Sequence, residues 1–257
     1  MTFKLTAKPV TRAQLPEDEN SVIDVAESLF SDFSKKWKEG KCYKHKLAFN
    51  PTLDGDEVAV QSYSANFEGE YWLCRSSTHH LRQETYVAMV RELNGSIRES
   101  QDQWSLPTRS FRSQREIDYI ETLTKVDVLE TTESGWVLVN LEYELGKPLT
   151  TREFNEWVYP VKPYKLANGK ERSMVITVAA DAPLRDPVAH THAVFSSVEL
   201  LEYDYATETL KWTMGTASDA GGNVPKWVQN TMIAKTVSKD VSFFFEWLGK
   251  NDQESNL

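Results

Sequence analysis

Histidines supply the first candidate chemistry in this sequence, because an imidazole can bind a metal and carries a proton near neutral pH. His190 and His192 are two residues apart, so a strand would place both imidazoles on one face. Tetrahedral zinc needs further ligands, and none is signalled nearby. His79 and His80 are adjacent, so at most one of them would point inward from a strand. We therefore predict no metal site, and we interpret these two as solvated histidines at a strand end.

Motifs for nucleotide binding or covalent catalysis do not occur in the sequence. There is no Gly-x-Ser-x-Gly elbow, P-loop or dinucleotide fingerprint. Residues 215–222 (GTASDAGG) lack the lysine and the spacing of a phosphate-binding loop, and we interpret them as a tight turn between a strand and a helix. Glu142 and Glu144 could face inward together, although a solvated strand face explains them more simply. We predict no catalytic residue and no cofactor, and we expect a protein that is not an enzyme.

The segment 70–78 (EYWLCRSST) offers an aromatic and a cationic candidate for a ligand pocket. In a strand Trp72 would point to one face and Arg75 to the other, so only one of them can face inside. An inward Arg75 would be a buried cation that needs a carboxylate or an anionic ligand group beside it. A surface salt bridge is the alternative for this arginine.

Composition and charge exclude several classes of partner. The chain has 257 residues with 29 Lys+Arg against 38 Asp+Glu, and a net charge of −9. This charge argues against nucleic acids and against anionic membranes as permanent partners. Cys42 and Cys74 form neither a metal spacing nor a dense disulfide framework, which favours a reducing compartment. With no apolar run of ~18 residues and no signal peptide in view, we expect a soluble cytoplasmic protein.

Hydrophobic periodicity predicts the elements that must position these residues. Apolar residues at three- or four-residue intervals predict helices over 20–37, 82–93, about 114–123, and 224–248, the last with an irregularity near Ala234. Alternation with period two predicts strands. These strands cover 41–50, 57–64, 70–78, 124–131, 136–144, 154–161, 172–180, 189–202 and 209–217.

The order of these elements predicts an α+β architecture. Consecutive strands with short connections pair antiparallel, and a single sheet this long must curl. A curled sheet closed by the long last helix would enclose a ligand chamber. We predict one domain over residues 20–250, a flexible N-terminal segment over 1–19 and a C-terminal tail over 251–257.

The stretch 212–230 (WTMGTASDAGGNVPKWVQN) resembles the signature of START lipid-transfer domains, in which an Asp-x-Gly-Gly turn precedes Pro-Lys-Trp and the C-terminal helix. Residues 151–154 (TREF) resemble the Arg-Asp-Phe that opens a central strand of that family. Together with 71–79 (YWLCRSSTH), 119–120 and 135–136, the order of motifs is similar to a fungal START-like group catalogued as a domain of unknown function. The resemblance covers about residues 24–248.

This resemblance implies a helix-grip fold, with a curved antiparallel β-sheet wrapped around a long C-terminal α-helix, and a cavity for a hydrophobic small molecule or lipid. It implies transient membrane contact as well. In sterol- and phospholipid-binding members a second arginine follows the first by six residues, and Val158 stands there in this chain, which argues against those ligands. The residues that we predict to bind the ligand are Trp72, Arg75, Trp136, Arg152, Trp227, Val228, Thr231 and Met232.

Three hypotheses for function follow from these observations. The first is a carrier or sensor that holds a hydrophobic molecule between the sheet and the last helix. The second is a cyclase- or hydrolase-type enzyme that uses the same cavity, with His79, His192 or a carboxylate as the acid–base group. The third is an interaction module whose cavity is filled by some of the eight tryptophans, and a pocket below ~300 Å³ would favour it.

Overall fold

The structure is a computed structural model that describes residues 3–146, 150–222 and 226–254, with the backbone alone for 226–228, 231 and 252–254. The helices are α1 (Glu19–Phe30), α2 (Phe33–Lys36), α3 (Gln83–Asn94), α4 (Phe111–Arg115) and α5 (Lys226–Glu254), with 3-10 turns at Arg12–Gln14 and Glu116–Asp118. The strands are β1 (Lys38–Lys46), β2 (Glu57–Phe67), β3 (Glu70–His80), β4 (Ile97–Ser100), β5 (Gln103–Ser105), β6 (Leu123–Thr131), β7 (Val137–Tyr143), β8 (Arg152–Lys165), β9 (Glu171–Ala179), β10 (Thr191–His192), β11 (Val194–Asp204) and β12 (Thr209–Asp219).

Most strands belong to one curved sheet with the order β1-β2-β3-β12-β11-β9-β8-β7-β6. Neighbours along this order pair antiparallel, and β10 adds a short parallel pairing to β8. The strands β4 and β5 form a separate hairpin. Helix α5 closes one face of the sheet, so the predicted helix-grip fold is confirmed. Within the described ranges, no helix is long and apolar enough to cross a bilayer.

The two faces of the sheet carry different layers. On the inner face, Leu73 of β3 and Met214 of β12 pack against Val237 of α5. On the outer face, Trp72 belongs to a core that contains Ala26 of α1. Because side chains alternate along a strand, this parity decides which residues can reach a space between the sheet and α5.

The N-terminal segment, which the sequence predicts to be flexible, lies along the outer face in residues 3–18. The backbone N–H of Val10 donates to the carbonyl of Ala179 at 2.9 Å, and the hydroxyl of Ser196 donates to the carbonyl of Thr6 at 2.7 Å. The side chains of Val10 and Leu15 are buried. Although the segment is mainly polar, these two apolar side chains pack into the core on the outer face.

Several predicted elements differ from the structure in their bounds. The predicted helix over 20–37 ends at Phe30, because Asp32 adopts a left-handed conformation with φ 53° and the chain restarts as the single turn α2. The predicted helix over 114–123 is α4 and the following 3-10 turn, which lie several residues earlier. The irregularity expected near Ala234 is absent from the described backbone of α5. The hairpin β4–β5 went unpredicted because its strands are too short for alternation to show.

Candidate functional site

A cavity of about 280 Å³ lies between the inner face of the sheet and α5. Its volume is just below the ~300 Å³ at the low end of small-molecule sites. Most of its wall is apolar, and a group of charged side chains lies within it. The apolar wall includes Leu93, Ile120, Leu141, Phe154, Val175, Phe195, Met214, Ile233, Val237 and Phe244, and the polar wall includes Arg75, Arg112, Glu116, Tyr119, Tyr143, Glu156, Thr177, Ser197, Glu199, Trp212 and Asp240.

Among the predicted ligand residues whose side chains the structure describes, Arg75 of β3 is the one that lines this cavity. Its side chain is 2% exposed, and its Nη2 donates to Oε1 of Glu199 on β11 at 2.9 Å. The guanidinium lies over the ring of Trp212, with Cζ 4.5 Å from the ring centroid. Arg75 therefore points inward and has the carboxylate partner that a buried cation requires.

The Arg75–Glu199 pair leaves hydrogen-bonding capacity unused. The indole N–H of Trp212 donates to the same Oε1 of Glu199 at 2.8 Å, so that oxygen accepts two hydrogen bonds. The Nε and Nη1 atoms of Arg75 are buried and bond to no residue in the described part of the chain. A buried donor without a partner costs about 1–3 kcal/mol, so an acceptor supplied here would be stabilising.

A second buried ion pair joins Arg112 of α4 to Glu116 in the next turn. The Nη2 of Arg112 lies 2.5 Å from Oε1 of Glu116, and its Nε donates to the carbonyl of Leu93 at 3.0 Å. Sequence analysis did not find this pair, because the helix that holds it was predicted a few residues later. The spacing of four residues between an arginine and a glutamate was the available signal.

Two further carboxyl groups in the cavity hold their protons at neutral pH more firmly than usual. Burial and the negative charge of Glu116 together raise the pKa of Glu156 on β8 to about 8, although Arg112 opposes the shift. Burial likewise raises the pKa of Asp240 on α5 to about 7, while Arg75 opposes the shift. At pH 7 Glu156 is therefore mainly a neutral acid that can donate a hydrogen bond, and Asp240 is about half protonated.

Glu156, Glu199 and Asp240 escaped the sequence analysis, although each leaves a trace in the sequence. Asp240 is three residues after Val237 and four before Phe244, so it lies on the apolar stripe of α5. Glu199 lies between Val198 and Leu200, inside a mainly apolar strand. A charged residue at a position that the pattern buries is the signal that could have identified them.

Two of the three predicted tryptophans, Trp72 and Trp136, lie on the outer face and do not line the cavity. Trp72 is fully buried with its ring 6.4 Å from that of Phe67. Trp136 packs 5.0 Å from Tyr159, and its indole N–H donates to the carbonyl of Pro16 at 3.0 Å. The reason is strand parity, because Trp72 is an odd number of residues from Arg75 and points to the opposite face.

The other predicted ligand residues lie near the beginnings of β8 and α5. Arg152 is buried, and its Nη1 donates to the carbonyl and the hydroxyl of Thr150 at 2.7 and 2.8 Å. Met232 is 62% exposed on the outside of α5. Trp227, Val228 and Thr231 belong to the helical backbone of α5, and their side chains lie outside the described part of the structure.

The histidines do not converge on the cavity. His79 is buried, contrary to the predicted solvated position, with Nε2 2.8 Å from the hydroxyl of Ser77, and burial lowers its pKa to about 4. Alternation turns His79 inward and leaves His80 exposed. The Nδ1 of His190 lies 3.0 Å from the buried carboxylate of Glu153, while His192 is exposed. The described residues contain no cluster of three or more side chains suited to a metal.

Comparisons with known proteins place the chain by its fold and its sequence family. No curated protein matches it in sequence. Human STARD10 is similar in structure at 12% identity, with a TM-score of 0.62 over 95% of this chain and 84% of that chain. Human StAR-related lipid transfer protein 5 has 11% identity and a TM-score of 0.56 over 91% and 99% of the two chains. The lipid transfer and protein localization domain of human StarD13 has 12% identity and a TM-score of 0.54 over 86% and 95%.

These structural neighbours confirm the predicted START-like fold. Within that fold, charged side chains of β3, β11 and α5 point into the cavity of this chain. A family model described as a protein of unknown function, DUF3074, matches residues 72–248. Because that match covers most of the sequence, the chain belongs to the DUF3074 family.

Proposed function

We propose that this protein binds a hydrophobic small molecule, a lipid, in the cavity between the sheet and α5, and carries or senses it without altering it. The observation that carries the proposal is a mainly apolar cavity whose buried Arg75 keeps two nitrogen atoms without a partner among the described residues. Two of the structural neighbours are described as lipid transfer proteins or domains, which supports the same function.

The size of the cavity restricts how a ligand can be held. At about 280 Å³ the space suits a small molecule or part of a single chain. A larger lipid would require α5 to move away from the sheet, and such a movement would also admit the ligand. Ile233, Val237 and Asp240 line the cavity from α5, so a displacement of this helix changes the cavity directly.

We propose transient membrane contact through the outer face of α5. Met232 and Phe243 are 62% and 39% exposed, and Lys235, Lys239 and Lys250 are exposed on the same helix. Exposed apolar side chains among lysines suit a surface of anionic lipids, although the whole chain carries −9. The free Cys42 and buried Cys74 support a reducing compartment such as the cytoplasm for this carrier.

Lipid extraction and native mass spectrometry of the protein purified from its own host test the proposal. We expect a bound hydrophobic molecule, and we expect Val237→Phe to reduce its occupancy, because Val237 lines the cavity. Val128→Phe is the matched control, since Val128 is exposed on β6 and far along the sheet order from β3. A protein that is always empty and exchanges no lipid between vesicles would refute the proposal.

Two specific observations favour the alternative functions, an enzyme and an interaction module. The raised pKa values of Glu156 and Asp240 favour an acid–base enzyme as the alternative, because neutral carboxyl groups can donate protons to a bound molecule. The small volume favours an interaction module. A recovered ligand whose mass changes on incubation with the protein would support the enzyme, and an empty cavity would support the module.

A further inference from the structure

We infer that the ligand is an uncharged amphiphile whose polar end offers acceptor oxygens, such as an ester or ketone carbonyl, and carries neither an anionic nor a cationic headgroup. This inference rests on the proposed function and names the class of molecule that the cavity selects. It follows from two independent features of the cavity wall, its charge balance and its excess of hydrogen-bond donors.

At pH 6, where Glu156 and Asp240 are mainly protonated, the charges in the cavity match one another. Arg75 pairs with Glu199 at 2.9 Å, and Arg112 pairs with Glu116 at 2.5 Å. Both arginine side chains are buried, so the pairs are shielded from solvent. A ligand that brings a further charge would leave that charge unmatched in a mainly apolar site, which is unfavourable. The charge balance therefore favours a neutral polar group.

The buried side-chain groups of the cavity that lack a partner among the described residues can all donate a hydrogen bond. The Nε and Nη1 of Arg75 make no hydrogen bond with any described residue, and the hydroxyl of Tyr119 has no partner there. Glu156 adds an acidic proton at neutral pH, since its pKa is raised to about 8. The Oε1 of Glu199, in contrast, already accepts from both Arg75 and Trp212. A carbonyl or ester oxygen complements these donors.

The same arrangement makes the selection depend on pH. Asp240 is faced by Arg75 from β3, Glu199 from β11, Glu116 from the turn after α4 and Tyr143 from β7. Glu156 is faced by Arg112 and Glu116, and by Tyr143. Raising the pH from 6 to 9 removes a proton from both acids. The cavity then loses two donors and gains negative charge, so affinity for a carbonyl falls and affinity for a cation rises.

A chain-matched panel tests this inference on the full-length protein. The probes are methyl dodecanoate, dodecan-1-ol, dodecanoate and dodecylammonium, which differ in their polar ends, with binding followed by tryptophan fluorescence at pH 6. We expect the ester to bind about tenfold more tightly than either charged probe, which is the effect of leaving a buried donor unpaired or a charge unmatched. Equal or tighter binding of dodecanoate or dodecylammonium at pH 6 would overturn the inference. Binding of none of the four would instead refute the proposed cavity function itself.

Binding measured at pH 6 and pH 9, together with two double variants, identifies the groups that select the ligand. At pH 9 the ester should bind about tenfold more weakly than at pH 6, and the double variant Glu156→Gln/Asp240→Asn should lose this pH dependence. The double variant Arg75→Met/Glu199→Gln removes both charges of the pair together, so it avoids an unpaired ion that could prevent folding. It should weaken binding of the ester, because it removes the free donors of Arg75, whereas Val128→Phe should preserve that binding. An unchanged pH dependence without the two acids would contradict the assignment.

Discussion

The Arg75–Glu199 pair should behave as one unit in folding, because each charge is buried against the other. Arg75 is 2% exposed and Glu199 12%, so Glu199→Gln would leave the guanidinium without a counter-charge inside the protein. Breaking a buried pair in this way costs about 3–5 kcal/mol in the free energy of unfolding. The glutamine can still accept from the Trp212 indole, so the loss reports on the charge and not on that hydrogen bond.

The double variant Arg75→Met/Glu199→Gln should recover most of this loss. Methionine fills much of the arginine volume and removes the cation, so the expected stability lies within about 1–2 kcal/mol of the parent protein. Urea unfolding with linear extrapolation measures all four proteins of the cycle. Since each single variant should lose about 3–5 kcal/mol and the double variant about 1–2 kcal/mol, the coupling energy should be at least about 4 kcal/mol. If the two single losses add up in the double variant, the pair does not act as a unit and our account of the cavity charges fails.

Asp240 makes the size of this effect depend on pH. Its pKa is about 7, held up by burial and by the charges of Glu199 and Glu116, while Arg75 opposes the shift. Removing the Glu199 charge should lower the pKa of Asp240, so at pH 8 its ionised carboxylate can replace the missing counter-charge. The loss caused by Glu199→Gln should therefore be larger at pH 6 than at pH 8. An equal loss at both values would show that Asp240 does not sense Arg75.

Two further predictions concern the acids and the turn before α5. Both acids have raised pKa values in the fold, so their contribution to stability is fully present below about pH 4 and is lost as the pH rises through about 7 for Asp240 and about 8 for Glu156. Urea midpoints should fall between pH 6 and pH 9, and Glu156→Gln/Asp240→Asn should flatten that fall; parallel curves would contradict it. Gly221→Ala should destabilise the protein more than Gly222→Ala, by thermal unfolding. Both glycines have φ near +63°, but only at Gly221 would a Cβ lie 2.0 Å from the carbonyl oxygen of His192. Equal losses of thermal stability in the two variants would show that the positive φ, and not the contact with His192, causes the destabilisation.

The element order was predictable because the period of the hydrophobic pattern changes clearly along the chain. The run 70–78 alternates and becomes β3, while the apolar stripe that includes Val237, Val241 and Phe244 becomes the long helix α5. The break after Phe30 was not predictable in the same way. A left-handed Asp32 interrupts the helix without interrupting the apolar spacing, so periodicity alone continues through it to Trp37.

The cavity residues were harder to predict, because their roles depend on pairing across strands that are distant in sequence. Strand alternation places Trp72 and Arg75 on opposite faces of β3, but it does not determine which of them faces α5. That choice follows from the neighbours of β3, since Arg75 is opposite Met214, and Met214 is opposite Glu199. The register places all three on the inner face, although Arg75 and Glu199 are 124 residues apart in the sequence. No local pattern around Arg75 contains this information.

The position of the arginine also determines which end of the cavity receives the polar part of a ligand. Val158 stands where the resemblance to START domains implies a second arginine, and it is buried in an apolar cluster with Val137, Val139 and Val175. Three strands lie between β8, which carries Val158, and β3, which carries Arg75. In the proposed carrier, the free donors of Arg75 therefore attract the polar end towards β3 and β11, and the apolar side chains of Leu141 on β7 and Phe154 on β8 remain for the hydrocarbon. We therefore expect a ligand to lie with its polar end beneath α5 at Asp240. Val158→Arg should lower its affinity in the fluorescence titration, because it would place a buried cation in the apolar cluster that supplies Val175 to the cavity wall.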